Sequence, residues 1–199
     1  MGRVIFGGII GGIIAFIWMF VSWAILPWHD MTLKKFRNEE FVAWVVKENT
    51  VKDGVYVIPH MEADKVNYTP EEVKQPFEKQ KAAIKQGPFI YAQVKKQGMD
   101  PTSFHLYLFS FLTYFVGALI VSYLLLQVNE EAGYLKRLLF VTLFGLAVGI
   151  IGMVPSWNWF AAGNAYTLVM IADILITWFL VGLVLGAIVK PRAEPERLM

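Results

Sequence analysis

Asp173 stands in VMIADILITW (169–178), a carboxylate set among aliphatic and aromatic neighbours. In such a run it can serve as a neutral hydrogen-bonding anchor, as a proton or cation site, or as a contact for a partner subunit or lipid. Tyr166 precedes it by seven residues and Thr177 follows by four, so the three share one helix face. Ser22, Ser110, Thr113 and Tyr114 come to a similar depth on other apolar runs. Together these residues form an expected intramembrane polar cluster, with the neutral anchor as the preferred reading.

Two further groups carry possible chemistry. His29 and Asp30 follow the first apolar run directly and His105 opens the second. Two imidazoles and a carboxylate are a divalent-metal set if those ends are neighbours, although the spacing is no metal motif and solvated interfacial histidines are the plainer expectation. Trp28, Trp157 and Trp159 fit an aromatic belt, or alternatively a stacked floor for a lipid or quinone with Asn158 and Asn164 as its polar contacts. No GxSxG, phosphate-binding loop, HExxH or CxxC is present, so no catalytic residue is assigned and no cofactor is expected.

The elements that must position these residues are read from hydropathy. The chain has 199 residues, of which 56% are hydrophobic and 17% charged. The excess lies in four runs, Val4–Trp28, Leu106–Val128, Leu138–Val154 and Tyr166–Val189, with Asp173 the one ionisable acid or base inside them. A bilayer core of ~30 Å takes about 20 residues of helix, which each run supplies, the third only just. Arg3, Lys136, Arg137, Lys190, Arg192 and Arg197 all fall on one side of this arrangement, and the connection 157–165 has no such charge. The bias predicts cytoplasmic termini and an external loop.

That loop carries twelve Lys/Arg against eleven Asp/Glu, a balanced surface that argues against nucleic acid. There is no cysteine, so any external domain folds without disulfides. Phe41, Trp44, Val45 and Glu48 fall at helical spacing, GVYVIP (54–59) and PFIYAQVKK (88–96) read as strands, and 69–87 reads as a helix capped by Thr69, Pro70 and Glu72 and stopped by Gly87. Pro76 predicts a kink or a late start to that helix.

The segments FIWMFVSWAILPW, DGVYVIP, GPFIYAQV, WNWF and VGLVLGAIV resemble a family of uncharacterised bacterial inner-membrane proteins of about this length. That resemblance implies the bacterial inner membrane and this topology, and it implies no activity.

The expected fold is therefore mainly α, a four-transmembrane-helix bundle with a small α+β extracytoplasmic domain inserted between helices 1 and 2. The segments are 1–28 (helix 1), 29–104 (external domain), 105–128 (helix 2), 129–137 (cytoplasmic turn), 138–156 (helix 3), 157–165 (external turn), 166–190 (helix 4) and 191–199 (tail). Gly7/Gly11 and Gly8/Gly12 offer small faces for close helix approach, within the bundle or between protomers, and Gly145/Gly149 and Gly182/Gly186 offer further ones. The preferred function is a non-enzymatic accessory, assembly or interaction subunit, in the bilayer with a partner subunit or as a homo-oligomer. The alternatives are a small proton- or ion-coupled transporter or channel using Asp173, and a lipid-, quinone- or metal-binding protein or enzyme at the outer interface.

Overall fold

A computed structural model of the chain describes residues 2–60, 70–129 and 131–190, with the side chains of 70–76 outside the description. Thr69, the side chains of Pro70 and Glu72, and the tail 191–199 with Arg192 and Arg197 lie outside the described residues.

In chain order the elements are α1 (Gly2–Phe20), α2 (Glu39–Asn49), β1 (Gly54–Ile58), α3 (Pro70–Gln86), β2 (Ile90–Val94), α4 (Phe104–Leu125), α5 (Tyr134–Phe160) and α6 (Asn164–Ile188). Among the described residues four helices are long and apolar enough to cross a membrane: Gly2–Ile25, Phe104–Leu125, Tyr134–Phe160 and Asn164–Ile188. The chain forms two compact units, one holding the four long helices and the other centred on residues 35–99.

In the helical unit the core is Ala15, Val121, Leu125, Val141, Trp178, Val181, Leu185 and Val189. In lipid, close packing rather than the expulsion of water draws helices together, so glycine decides where they touch. Gly7, Gly8, Gly11 and Gly12 are buried along α1. A Cβ on Gly12 would stand 2.9 Å from the backbone Cα of Phe115, and one on Gly11 2.8 Å from Ala118 Cβ. The α1 glycines therefore face α4 within the chain. On α6, Gly182 admits Leu138 and Val141, while Gly149 on α5 faces Ile171. The outward faces, including Ile5, Ile9, Ile13 and Ile17 on α1, are exposed apolar side chains suited to lipid.

Three boundaries differ from the sequence expectation. Helix 1 was expected to reach Trp28, but α1 passes into a single wide turn of π-helix at Val21–Ile25 and stops before Pro27. Residues 26–32 then form a short strap, held by Met31 N–H to Pro27 O at 3.0 Å and Thr32 N–H to His29 O at 2.9 Å. The turn expected over 129–137 is shorter, because α5 begins at Tyr134. Arg137, read as a surface charge, is 8% exposed and donates through Nε to Gly186 O at 2.8 Å and through Nη1 to Ala132 O. Its fork thus satisfies a carbonyl in the last turn of α6, where an orphaned acceptor would otherwise face apolar surroundings. Tyr134 adds a bond from its hydroxyl to Leu183 O at 3.1 Å. Finally, α5 runs through Pro155 to Phe160, so Trp157, Asn158 and Trp159 are helical rather than part of an external turn. Proline removes one N–H from the ladder, and neighbouring helices make that tolerable in a membrane helix.

The second unit contains α2, α3 and a two-stranded antiparallel sheet, registered from Gly54↔Val94 to Ile58↔Ile90. Asn38 caps α2 through Phe41 N–H at 3.0 Å. α3 continues through Pro76, and Gly87 closes it at φ +73, with its N–H on Ala83 O at 2.9 Å. Asp53 accepts from Lys95 Nζ at 2.6 Å and from Lys96 N–H at 2.9 Å. The Lys95 hydrogen bond, aided by the Lys96 amide, holds this carboxyl below the usual carboxylate range. A carboxylate whose pKa falls on folding stabilises the fold at neutral pH, and that contribution disappears as pH falls through the folded value. Acidification below about pH 4 is therefore expected to speed amide exchange in β1 and β2, after correction for intrinsic rates. An Asp53→Asn chain showing the same acid response as the native one would refute the assignment.

Candidate functional site

Three buried polar side chains of the helical unit, Ser22, His29 and Thr177, lie around Asp173. This residue lies about two and a half turns into α6, ~13 Å along the axis from Asn164, and is 7% exposed. Its Oδ1 accepts from Trp18 Nε1 at 2.7 Å and from Ser22 Oγ at 2.8 Å. Its Oδ2 lies 3.4 Å from His29 Nε2. His29 Nε2 is also 3.0 Å from Ser22 Oγ. Trp28 Nε1 donates to Ser22 at both Oγ (3.0 Å) and the carbonyl (3.2 Å).

With Asp173 ionised, the pattern constrains the protons. A serine hydroxyl has one hydrogen, and Ser22 gives it to Asp173 Oδ1. Its remaining contacts then donate to it: the indole N–H of Trp28 does, and His29 Nε2 does so in the tautomer that carries hydrogen there. That leaves His29 Nδ1, which is buried and has no hydrogen-bond partner among the described residues. The residue types are those of a hydrolytic triad, but the arrangement is not one. Activation requires the serine proton to point at the imidazole, whereas here it points at the carboxylate.

Local structure explains the convergence. Trp18 and Ser22 are four residues apart and share a face of α1, which would put both on one neighbour in a regular helix. The wide turn at Val21–Ile25 holds Ser22 fully buried and redirects the chain. The strap then lays His29 back against the helices at 2% exposure. Trp23 covers the imidazole from outside as a stacked ring, 3.8 Å away and 7° from parallel, and Trp28 packs edge-on at 5.4 Å. Thr177 meets Asp173 through its backbone, Oγ1 donating to the Asp173 carbonyl at 2.8 Å.

Of the expected polar cluster, the structure brings Ser22 and Thr177 to Asp173. Tyr166 is half-buried and makes no side-chain hydrogen bond among those described, and neither does Ser110. Thr113 is exposed and turns its hydroxyl onto its own helix at Phe109 O, 2.8 Å away. The expected metal set is dispersed: His29 is inside, whereas Asp30 and His105 are exposed. Among the described residues no group of three His, Cys, Asp or Glu could hold a metal ion. The expectation that His29 is solvated is likewise overturned, because the wide turn folds the strap inward.

The proposed aromatic floor is also divided. Trp28 belongs to the Asp173 cluster, and Trp157 Nε1 donates to Asn164 Oδ1 at 2.7 Å. Asn158 is exposed, and Trp159 is 73% exposed. Trp18 was not anticipated. Its i,i+4 spacing to Ser22 was the available signal, masked because an indole in an apolar run reads as a lipid contact.

No protein family, curated protein or solved structure matches the chain.

Proposed function

We propose that this chain is a non-enzymatic membrane protein, an accessory or interaction subunit whose helical unit anchors an extracytoplasmic α+β unit that meets a partner. The observation that carries this reading is α2, an eleven-residue helix that buries none of its residues. Phe41 and Trp44 stack on one another at 6.1 Å yet remain 58% and 59% exposed. A stacked Phe–Trp pair left open costs solvation free energy on its own, and such aromatics are the residues that most often anchor interfaces. The Asp173 cluster supports the same reading, since Trp18 and Ser22 spend their hydrogens on its carboxylate. The bacterial inner membrane and cytoplasmic termini belong to this proposal, supported by the distribution of Lys and Arg.

The test is native mass spectrometry after extraction from source membranes in a mild detergent. The expected result is a species heavier than the 22.6 kDa chain, holding a partner or a second copy. Trp44→Glu should shift most of it to the isolated chain. A native protein that runs only as a monomer, whatever the detergent, would overturn the proposal.

A further inference from the structure

Arg137 carries a charge that its hydrogen bonds do not answer. The side chain is 8% exposed, and its partners, Gly186 O through Nε and Ala132 O through Nη1, are neutral carbonyls. Carbonyls satisfy N–H groups, but they do not neutralise a full positive charge taken out of water. Helix dipoles leave the balance where it was. The C-terminal end of α6 at Gly186 offers about half a negative charge, while Arg137 is the fourth residue of α5, whose own N-terminus offers about half a positive one. Among the described residues no carboxylate pairs with the guanidinium. The same end of the helical unit adds cations. A Cβ on Gly7 would meet Ser122 and Val189, so the start of α1 lies with the ends of α4 and α6, and Arg3, Lys136 and Lys190 are all exposed. The guanidinium also reaches outward. Nη2 has no acceptor among the described residues, yet it is not one of the enclosed unpartnered atoms, so it opens to the surface of the bundle. One turn before it, a Cβ on Gly133 would meet nothing within 4 Å, and the approach is clear.

We propose that Arg137 anchors a site for one anionic phospholipid, whose phosphodiester takes the Nη2 side of the guanidinium. A phosphate accepts from the planar fork and brings the missing negative charge. The free N–H groups in the first turn of α5 add donors at the same end. Gly186 is two residues from the end of α6, a helix long enough to span a bilayer, so the guanidinium sits at headgroup level. Tyr134, 39% exposed with its hydroxyl on Leu183 O, supplies apolar surface beside it for an acyl chain. A zwitterionic lipid carries its own ammonium and leaves the arginine charge unanswered. This inference stands on Arg137 and does not depend on the accessory function.

Native mass spectrometry of the full chain tests it, with phosphatidylglycerol or phosphatidylcholine of identical acyl chains titrated into delipidated protein in detergent. One phosphatidylglycerol is expected to bind at least about tenfold tighter than phosphatidylcholine, the scale of one hydrogen bond to a charged group. Arg137→Gln should abolish that preference, whereas Arg3→Gln, which removes an equal charge from the same end, should keep it. Inorganic phosphate in excess should leave the lipid bound. Equal affinity of the native chain for the two lipids would overturn the proposal, as would an equal loss of preference in the two variants. Displacement by inorganic phosphate would overturn the assignment to a lipid. Should Arg137→Gln fail to fold, the native chain and Arg3→Gln still decide, because loss of the preference in Arg3→Gln is incompatible with the site.

Discussion

Asp173→Ala is expected to destabilise the helical unit by about 1–3 kcal/mol, measured by SDS or thermal unfolding in lipid-like micelles. Two donors bond this carboxylate, Trp18 Nε1 and Ser22 Oγ, and His29 Nε2 lies 3.4 Å from its other oxygen. Hydrogen bonds inside membrane proteins average ~0.6 kcal/mol and reach ~1.7, so two removed together give about 1–3 kcal/mol. Partial repair is available, since Ser22 can turn its hydrogen onto His29 if the imidazole moves its own proton to Nδ1. Trp18 has no such escape, because an indole donates and cannot accept. Asp173→Asn should cost less, about 1 kcal/mol, as its carbonyl can still accept from Trp18 and Ser22. An alanine variant as stable as the asparagine variant would show that the cluster does not fasten the strap to the bundle.

The second large effect is expected at Gly145. A Cβ added there would lie 2.3 Å from Trp178 Cβ and 2.8 Å from Cγ. The Cβ of Trp178 is tied directly to the α6 backbone, so no rotamer change clears the space and the helices themselves must part. The indole has nowhere to retreat: its far edge is 3.1 Å from where a Cβ on Gly117 would stand, and Phe144 packs edge-on at 5.2 Å. Overpacking of this kind costs about 1–3 kcal/mol, and Gly145→Ala should fall at the upper end. Gly152→Ala is the control, on the same helix with nothing within 4 Å of its added methyl. There the gain in helix propensity, up to about 1 kcal/mol, should make the change neutral or stabilising. Equal unfolding midpoints for the two variants would be incompatible with the packing of α5 on α6.

Both sites bear on what a sequence reveals. Four spans could be recognised because uncharged runs of that length have few other uses. The meeting of Ser22 with Asp173 could be anticipated from depth alone. His29 could not, because a single wide turn leaves no mark on hydrophobic spacing, and only that turn brings the strap inward. Thr113 and Ser110 stood at a suitable depth, yet a helical hydroxyl can satisfy itself on its own backbone, as Thr113 does at Phe109 O. Arg137 showed the converse. Read as a loop charge, it is spent on carbonyls at the end of α6. Periodicity says which residues share a face and is silent about which carbonyl at a helix end needs a donor.

The glycine face of α1 also sets a schedule for biogenesis. The surface that receives Gly12 is the backbone of α4 at Phe115, which is made about 100 residues later, or roughly 5–20 s at ordinary rates of translation. Until then α1 must wait in the bilayer with a smooth, unfilled flank while the segment between α1 and α4 is still being made. Any insertase or membrane chaperone that attends this protein should meet it in that interval. Bulky substitutions along Gly7–Gly12 should accordingly prolong that association and expose the nascent chain to membrane proteases, even where the finished bundle could absorb them.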